Sequence, residues 1–202
     1  ELRADGAFGL LGDEPGRPVP PAHPDLGPTS DTWAGFFHCD LAARRYFDRG
    51  YLDLDEAEAL ACLPDRLGGE LGQVQPRLLH MGDIMHNGNM IVEPSTGRIL
   101  AVVDYCESMG GDPRWELAWV DYYFAEYPFD RAGFDMARFR AGYGTDHDPS
   151  DRLRRFYLAA ILVFEKLLFF DPASPRGEWA IGKVKEIVRS FDGGRARASV
   201  RC

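Results

Sequence analysis

Lysine is almost missing from this 202-residue chain: Lys166, Lys183 and Lys185 are the only three, all towards its C-terminal end. A strand-borne lysine upstream of the polar centre of the chain, of the kind that grips nucleotide phosphates, is therefore not available within it. No GxxxxGK[ST] run occurs, which excludes a Walker-type phosphate loop, and no HExxH helix signature occurs either. There is no stretch of 18 apolar residues and no charged, apolar, small-residue export signal. The four cysteines, Cys39, Cys62, Cys106 and Cys202, lack CxxC pairing or regular spacing, so reduced thiols are expected rather than a disulfide or zinc framework. The formal charge of -9 argues against a nucleic-acid surface, which needs clustered Lys and Arg. It suits a cationic small molecule drawn to an acidic cleft, and it equally suits plain solubility. The expectation is a soluble, cytoplasmic protein without membrane or nucleic-acid partners. Because residue 1 is Glu, the chain is expected to be an internal or C-terminal piece.

With 45% hydrophobic residues, one unit with a sizeable core is the default. Residues 1–29 are rich in Gly and Pro and are expected to form an irregular connector from a preceding domain. The pattern then changes. Trp33, Phe36, Phe37, Leu41 and Phe47 predict a helix of about five turns starting at Ser30 or Asp31. Asp53 and Glu56 have capping-box spacing ahead of a short stripe that ends at Pro64. Met90–Val92 and the apolar run 99–103 predict two strands joined by a turn over 93–98. Asp112 and Pro113 predict an N-cap and first position of a helix through Trp115 and Val120. Weaker periodicity covers 130–142, strong periodicity 151–170, and a closing helix 177–191. The fold class expected is α+β and mostly helical, with a body at 30–192 and a frayed tail at 193–202.

Residues 78–112, LLHMGDIMHNGNMIVEPSTGRILAVVDYCESMGGD, concentrate the chemistry. His80, Asp83, His86, Asn87 and Asn89 share one loop, and the hairpin leads from there to Asp104. Phosphoryl transfer is mainly a matter of placement and charge: a hydroxyl-orienting base and oxygen ligands for Mg²⁺. Asp83 suits the first role. The amide oxygen of Asn89 and the carboxylate of Asp104 suit a hard cation that keeps water and phosphate oxygens in its other positions.

HMGDIMHNGNMIV resembles the H-G-D-x-x-x-x-N loop of the aminoglycoside phosphotransferase and fructosamine kinase group, and GRILAVVDYCESMGGDPRWELAW resembles its metal-binding strand and G-D-P segment. The resemblance is tight over residues 78–120. It implies a protein-kinase-like fold, of which this chain would be the C-terminal lobe, with the ATP-covering N-terminal lobe absent from it. It implies Asp83 as catalytic Asp, Asn89 and Asp104 as magnesium ligands, His80 and His86 as loop-supporting groups, and ATP and Mg²⁺ as cofactors. The expected reaction moves the γ-phosphate of ATP to a hydroxyl of an amino sugar, antibiotic or related metabolite, with ketosamines as the alternative acceptors. The segment from Asp104 to Asp112 is also similar to the hygromycin B kinase branch, which makes Glu107 a candidate for the substrate side; Asp112, Glu116 and Asp121 are further substrate-side candidates.

The loop departs from the family in two places. Met81 separates His80 from Gly82, and Asn89 lies six positions after Asp83 where five is usual. Asn87 lies four positions after it, so the two asparagines remain alternatives, and the direct continuation of Asn89 into Met90–Val92 favours Asn89. Plainer roles compete throughout. Asp112 before Pro113 fits a helix cap, Asp121 a polar helix face, and Trp115, Trp119, Tyr122 and Tyr123 a packing stripe before a sugar-binding surface. The rival classes are a metal-dependent hydrolase using His80, Asp83, His86 and Asp104, and a kinase-derived binding module without phosphoryl transfer.

Overall fold

Trp33, Phe36 and Phe37 stand near the start of the long described run 32–80, and their rings decide how it begins. The computed structural model describes residues 9–10, 32–80, 89–103, 108–126, 136–143 and 152–192. Instead of one five-turn helix from Ser30, a single 3-10 turn at Ala34–Phe36 is followed by extended backbone at Phe37 and then by helix α1, Cys39–Asp48. The break lets both phenylalanines enter the core: successive helical residues point about 100° apart, yet Phe36 is fully buried and Phe37 is 4% exposed. Phe37 reaches Phe156 edge-on and packs near Trp115. The buried stripe of α1 is consequently Cys39, Ala42, Ala43 and Tyr46, while Leu41 and Phe47, expected on that stripe, face solvent.

Asp53 caps α2 (Leu54–Ala61) in a complete capping box: the Glu56 N–H donates to its carboxylate at 2.8 Å, and its own N–H donates to Glu56 at 2.9 Å. Two one-turn helices follow, α3 at Leu63–Arg66 and α4 at Gly68–Leu71. Helix α5, Pro113–Val120, starts at the expected Asp112 cap and widens into a π-helical segment, Asp121–Glu126. The weaker periodicity yields α6, Met136–Tyr143. The expected helix over 151–170 forms α7 (Arg152–Ile161), a second π-helical segment (Leu162–Lys166) and α8 (Leu167–Phe169). It is no one-sided stripe, because every residue from Phe156 to Phe164 is buried. Helix α9, Pro175–Asp192, is the last described element and packs against α2 and α7.

Among the described residues the strands form two small antiparallel sheets. Strand β1, Gly9–Leu10, belongs to the segment expected to be an irregular connector with little regular structure; it pairs with β5, Met109–Gly111, whose other edge pairs with β2, Arg77–Leu79. Strands β3 (Met90–Val92) and β4 (Ile99–Val102) make the expected hairpin, with Met90 opposite Val102 and Ile91 opposite Ala101. Its turn closes through the Gly97 N–H on the Glu93 carbonyl at 2.9 Å, with Gly97 at φ 71°, where a side chain would be strained.

Cys39 is a buried free thiol. Cys62, by contrast, is disulfide-bonded, which corrects the expectation of four reduced thiols. Scattered spacing in the sequence carries no information on which thiols the fold brings together. Among the described residues no helix is long and apolar enough to cross a membrane.

Candidate active site

The short β2–β5 ladder brings the two ends of the polar run to one place. Leu79 pairs with Met109, so His80 leaves β2 beside the point where Ser108 enters β5. His80 and Ser108 are both buried, and Nε2 of His80 lies 3.2 Å from the carbonyl oxygen of Val103. A carbonyl only accepts, so Nε2 is the protonated ring nitrogen. Val103 is held on its other side too, its N–H donating to the carbonyl of Asn89 at 2.9 Å. One residue therefore ties the end of β2 to both ends of the hairpin.

Asn89, half-buried, opens β3, and Asp104 is the residue that follows Val103 in the chain. Asp83, His86, Asn87, Asp104 and Glu107 lie outside the described residues. An amide oxygen and a carboxylate make a donor pair suited to Mg²⁺. Among the described residues no group of three or more His, Cys, Asp or Glu side chains could hold a metal ion.

Asp112 is 3% exposed and surrounded by donors. Its Oδ1 accepts from the Arg114 backbone N–H at 3.0 Å and from Nε at 3.1 Å; its Oδ2 accepts from Arg114 Nη2 at 2.7 Å and from the Tyr157 hydroxyl at 2.7 Å. Indole N–H only donates, so Trp33 Nε1, 2.6 Å from the Tyr157 oxygen, supplies that hydroxyl with its own hydrogen bond. Burial first, then the Asp112 charge and the hydrogen bond to it, push the Tyr157 phenol far above its usual range; the Trp33 hydrogen bond opposes this only in part. Asp121 is buried as well and forms an ion pair with Arg154, itself 2% exposed. Of the substrate-side expectations, Asp112 and Asp121 are thus engaged by buried partners, while Glu116 is half-buried in the first turn of α5.

The aromatics of this region mostly pack. Trp115, Trp119 and Tyr122 are buried, and the Lys166 ammonium sits 4.5 Å from the ring centre of Trp119 and 5.3 Å from that of Tyr122. Three residues of this centre, Tyr157, Arg154 and Trp33, are not among the candidate site residues that the sequence suggests. Tyr157 is a periodic position of the helix expected over 151–170, Trp33 one of the helix expected from Ser30 or Asp31, and Arg154 carries no expectation. The signal for Tyr157 and Trp33 is that a buried Tyr or Trp needs a partner for its polar tip, which says nothing of which residue supplies it.

These elements define the fold of a protein-kinase-like C-terminal lobe. Solved structures of aminoglycoside phosphotransferase APH(4)-Ia share it. A thermostable mutant in its apo form aligns with 92% of this chain at a TM-score of 0.57 and 24% identity. A ternary complex of such a mutant with AMP-PNP and hygromycin B aligns with 93% at 0.53 and 22%, and one with ADP and hygromycin B aligns with 94% at 0.53 and 22%. In all three the aligned part is 58% of the solved chain, so this chain spans well under two thirds of those proteins. No protein-family model matches the chain, and no curated protein matches it.

Proposed function

We propose that the protein to which this chain belongs is a small-molecule kinase of the aminoglycoside phosphotransferase type, transferring the γ-phosphate of ATP to a hydroxyl of an amino sugar, antibiotic or related metabolite. The observation that carries the reading is the double anchoring of Val103. With Asn89 bonded to one side of Val103 and His80 to the other, the ends of the loop holding Asp83 and the start of the segment holding Asp104 converge on one backbone unit. The fold likeness supports it, as does the binding of AMP-PNP, ADP and hygromycin B by APH(4)-Ia.

In this reading Asp83 orients the acceptor hydroxyl and takes its proton as the phosphoryl group arrives. Asn89 and Asp104 hold Mg²⁺, which when bound neutralises charge on the phosphate oxygens. His80 keeps the loop in register by donating to Val103. His86 supports the same loop, and Glu107 and Glu116 face acceptor amines. A further lobe supplies the lysine and the phosphate cover, and it lies over the hairpin, where Met90, Ile91, Val92, Ile99 and Leu100 are all 36% exposed or more.

The test is to incubate the full-length protein with ATP, Mg²⁺ and a panel of aminoglycosides, amino sugars and ketosamines, reading acceptor phosphorylation by mass spectrometry. A phosphorylated amino sugar or aminoglycoside is expected. Phosphate on ketosamines alone would move the protein to the fructosamine kinase side, and no transfer to any hydroxyl would sink the proposal.

A further inference from the structure

Strand β5 is a weak element in a demanding place. It has three residues, two of them Gly110 and Gly111, and its neighbours contribute only two residues in β1 and three in β2. So short a ladder holds little by itself, and glycine backbone has no side chain to lock it. Yet only Ser108 separates β5 from the segment 104–107, which carries the proposed metal ligand Asp104. Its position must be defined from its flanks.

Two contacts do that at its exit. The Trp33 ring lies so close under Gly111 that a Cβ there would stand 2.7 Å from Cη2 of Trp33 and 2.7 Å from Cδ1 of Leu79. The same indole donates to Tyr157, and Tyr157 donates to Asp112, the residue that follows β5 and caps α5. All three side chains are buried, and the direction of each hydrogen bond is set by chemistry: indole N–H to phenol oxygen, phenol O–H to carboxylate. The chain from Trp33 through Tyr157 to Asp112 thus clamps β5 from below and fixes where α5 begins.

We propose that Tyr157 and Asp112 are positioning residues for metal-assisted phosphoryl transfer, acting through β5 on the segment that carries Asp104. This rests on the phosphotransferase reading above. Asp112 then serves the metal side of the site by geometry and does not contact the acceptor. Buried hydrogen-bond networks of this kind hold one arrangement when complete, and loss of a single member leaves the others without partners in a low-dielectric setting.

The experiment measures Mg²⁺-dependent binding of AMP-PNP to the full-length protein. Tyr157→Phe is compared with Tyr46→Phe, which removes another buried tyrosine hydrogen bond, from Tyr46 to the Val163 carbonyl at 2.6 Å. The expected result is that Tyr157→Phe needs about fivefold more Mg²⁺ for half-maximal binding, while Tyr46→Phe matches wild type. An unchanged Mg²⁺ requirement in Tyr157→Phe, or an equal shift in both variants, would overturn the positioning role. Should Tyr157→Phe fail to fold, Trp33→Phe removes both the indole donor and the ring edge under Gly111, the two parts of the clamp, and is judged by the same outcomes. Wild-type protein that binds no AMP-PNP at any Mg²⁺ concentration removes the phosphotransferase reading itself, and the positioning role with it.

Discussion

At the scale of single residues, close approach and buried charge dominate. Gly111 is glycine because the Trp33 ring and a Leu79 methyl already occupy the space of a Cβ. Gly111→Ala must push aside an aromatic ring that is itself fully buried among Phe36, Phe37 and Trp115. It should destabilise the protein by about 1–3 kcal/mol, the usual cost of overpacking, measured by urea unfolding. A stability equal to wild type would mean that the Trp33 contact is slack. Arg154 and Asp121 pose a different problem, since neither charge reaches water freely. Arg154→Met removes the buried guanidinium paired with the Asp121 carboxylate and should cost about 3–5 kcal/mol. Combining Arg154→Met with Asp121→Leu should recover most of that loss, because a buried ion pair replaced whole is often neutral. A double variant as unstable as the single one would place the value of the pair elsewhere.

At the scale of elements, the junction of α2 with α9 makes a prediction in pH. Glu56, 4% exposed, completes the capping box of α2 and accepts from Lys185 at 2.9 Å and Arg189 at 2.6 Å on α9. Burial is the largest single influence on its carboxyl and pushes it up, but the Asp53 N–H, Lys185 and Arg189 together outweigh it and hold the group below the ordinary glutamate range. A depressed folded pKa contributes stability that is present above the unfolded value and lost as pH falls through the folded one. Acid titration of stability should therefore show a loss below the ordinary glutamate range that Glu56→Gln flattens. Parallel curves for the two proteins would contradict the pairing. The same element shows what was legible in sequence. The capping box, the Asp112 cap and the hairpin turn depend on local chemistry and were readable from a few neighbouring residues. The break at Phe37 and the π-helical segments were not, because they arise where rings from distant helices compete for one core and override local periodicity.

At the scale of the whole molecule, the chain has the fold of a kinase-like C-terminal lobe, and it spans 58% of the solved phosphotransferase chains that share that fold. The order of Asp83, Asn89, hairpin and Asp104 was legible because it lies in one continuous stretch whose turn chemistry is plain. The Trp33–Tyr157–Asp112 relay was not, since its members are up to 124 positions apart in the sequence and meet only once α5 and α7 have packed. Asp83 carries the central claim. The most direct measurement is the rate of ATP-dependent phosphorylation of the acceptor by the full-length Asp83→Ala protein, with folding checked by circular dichroism. The account predicts a folded protein whose rate falls by about a thousandfold or more, as for loss of a group acting in the transition state. A folded Asp83→Ala protein that turns over at the wild-type rate would contradict it.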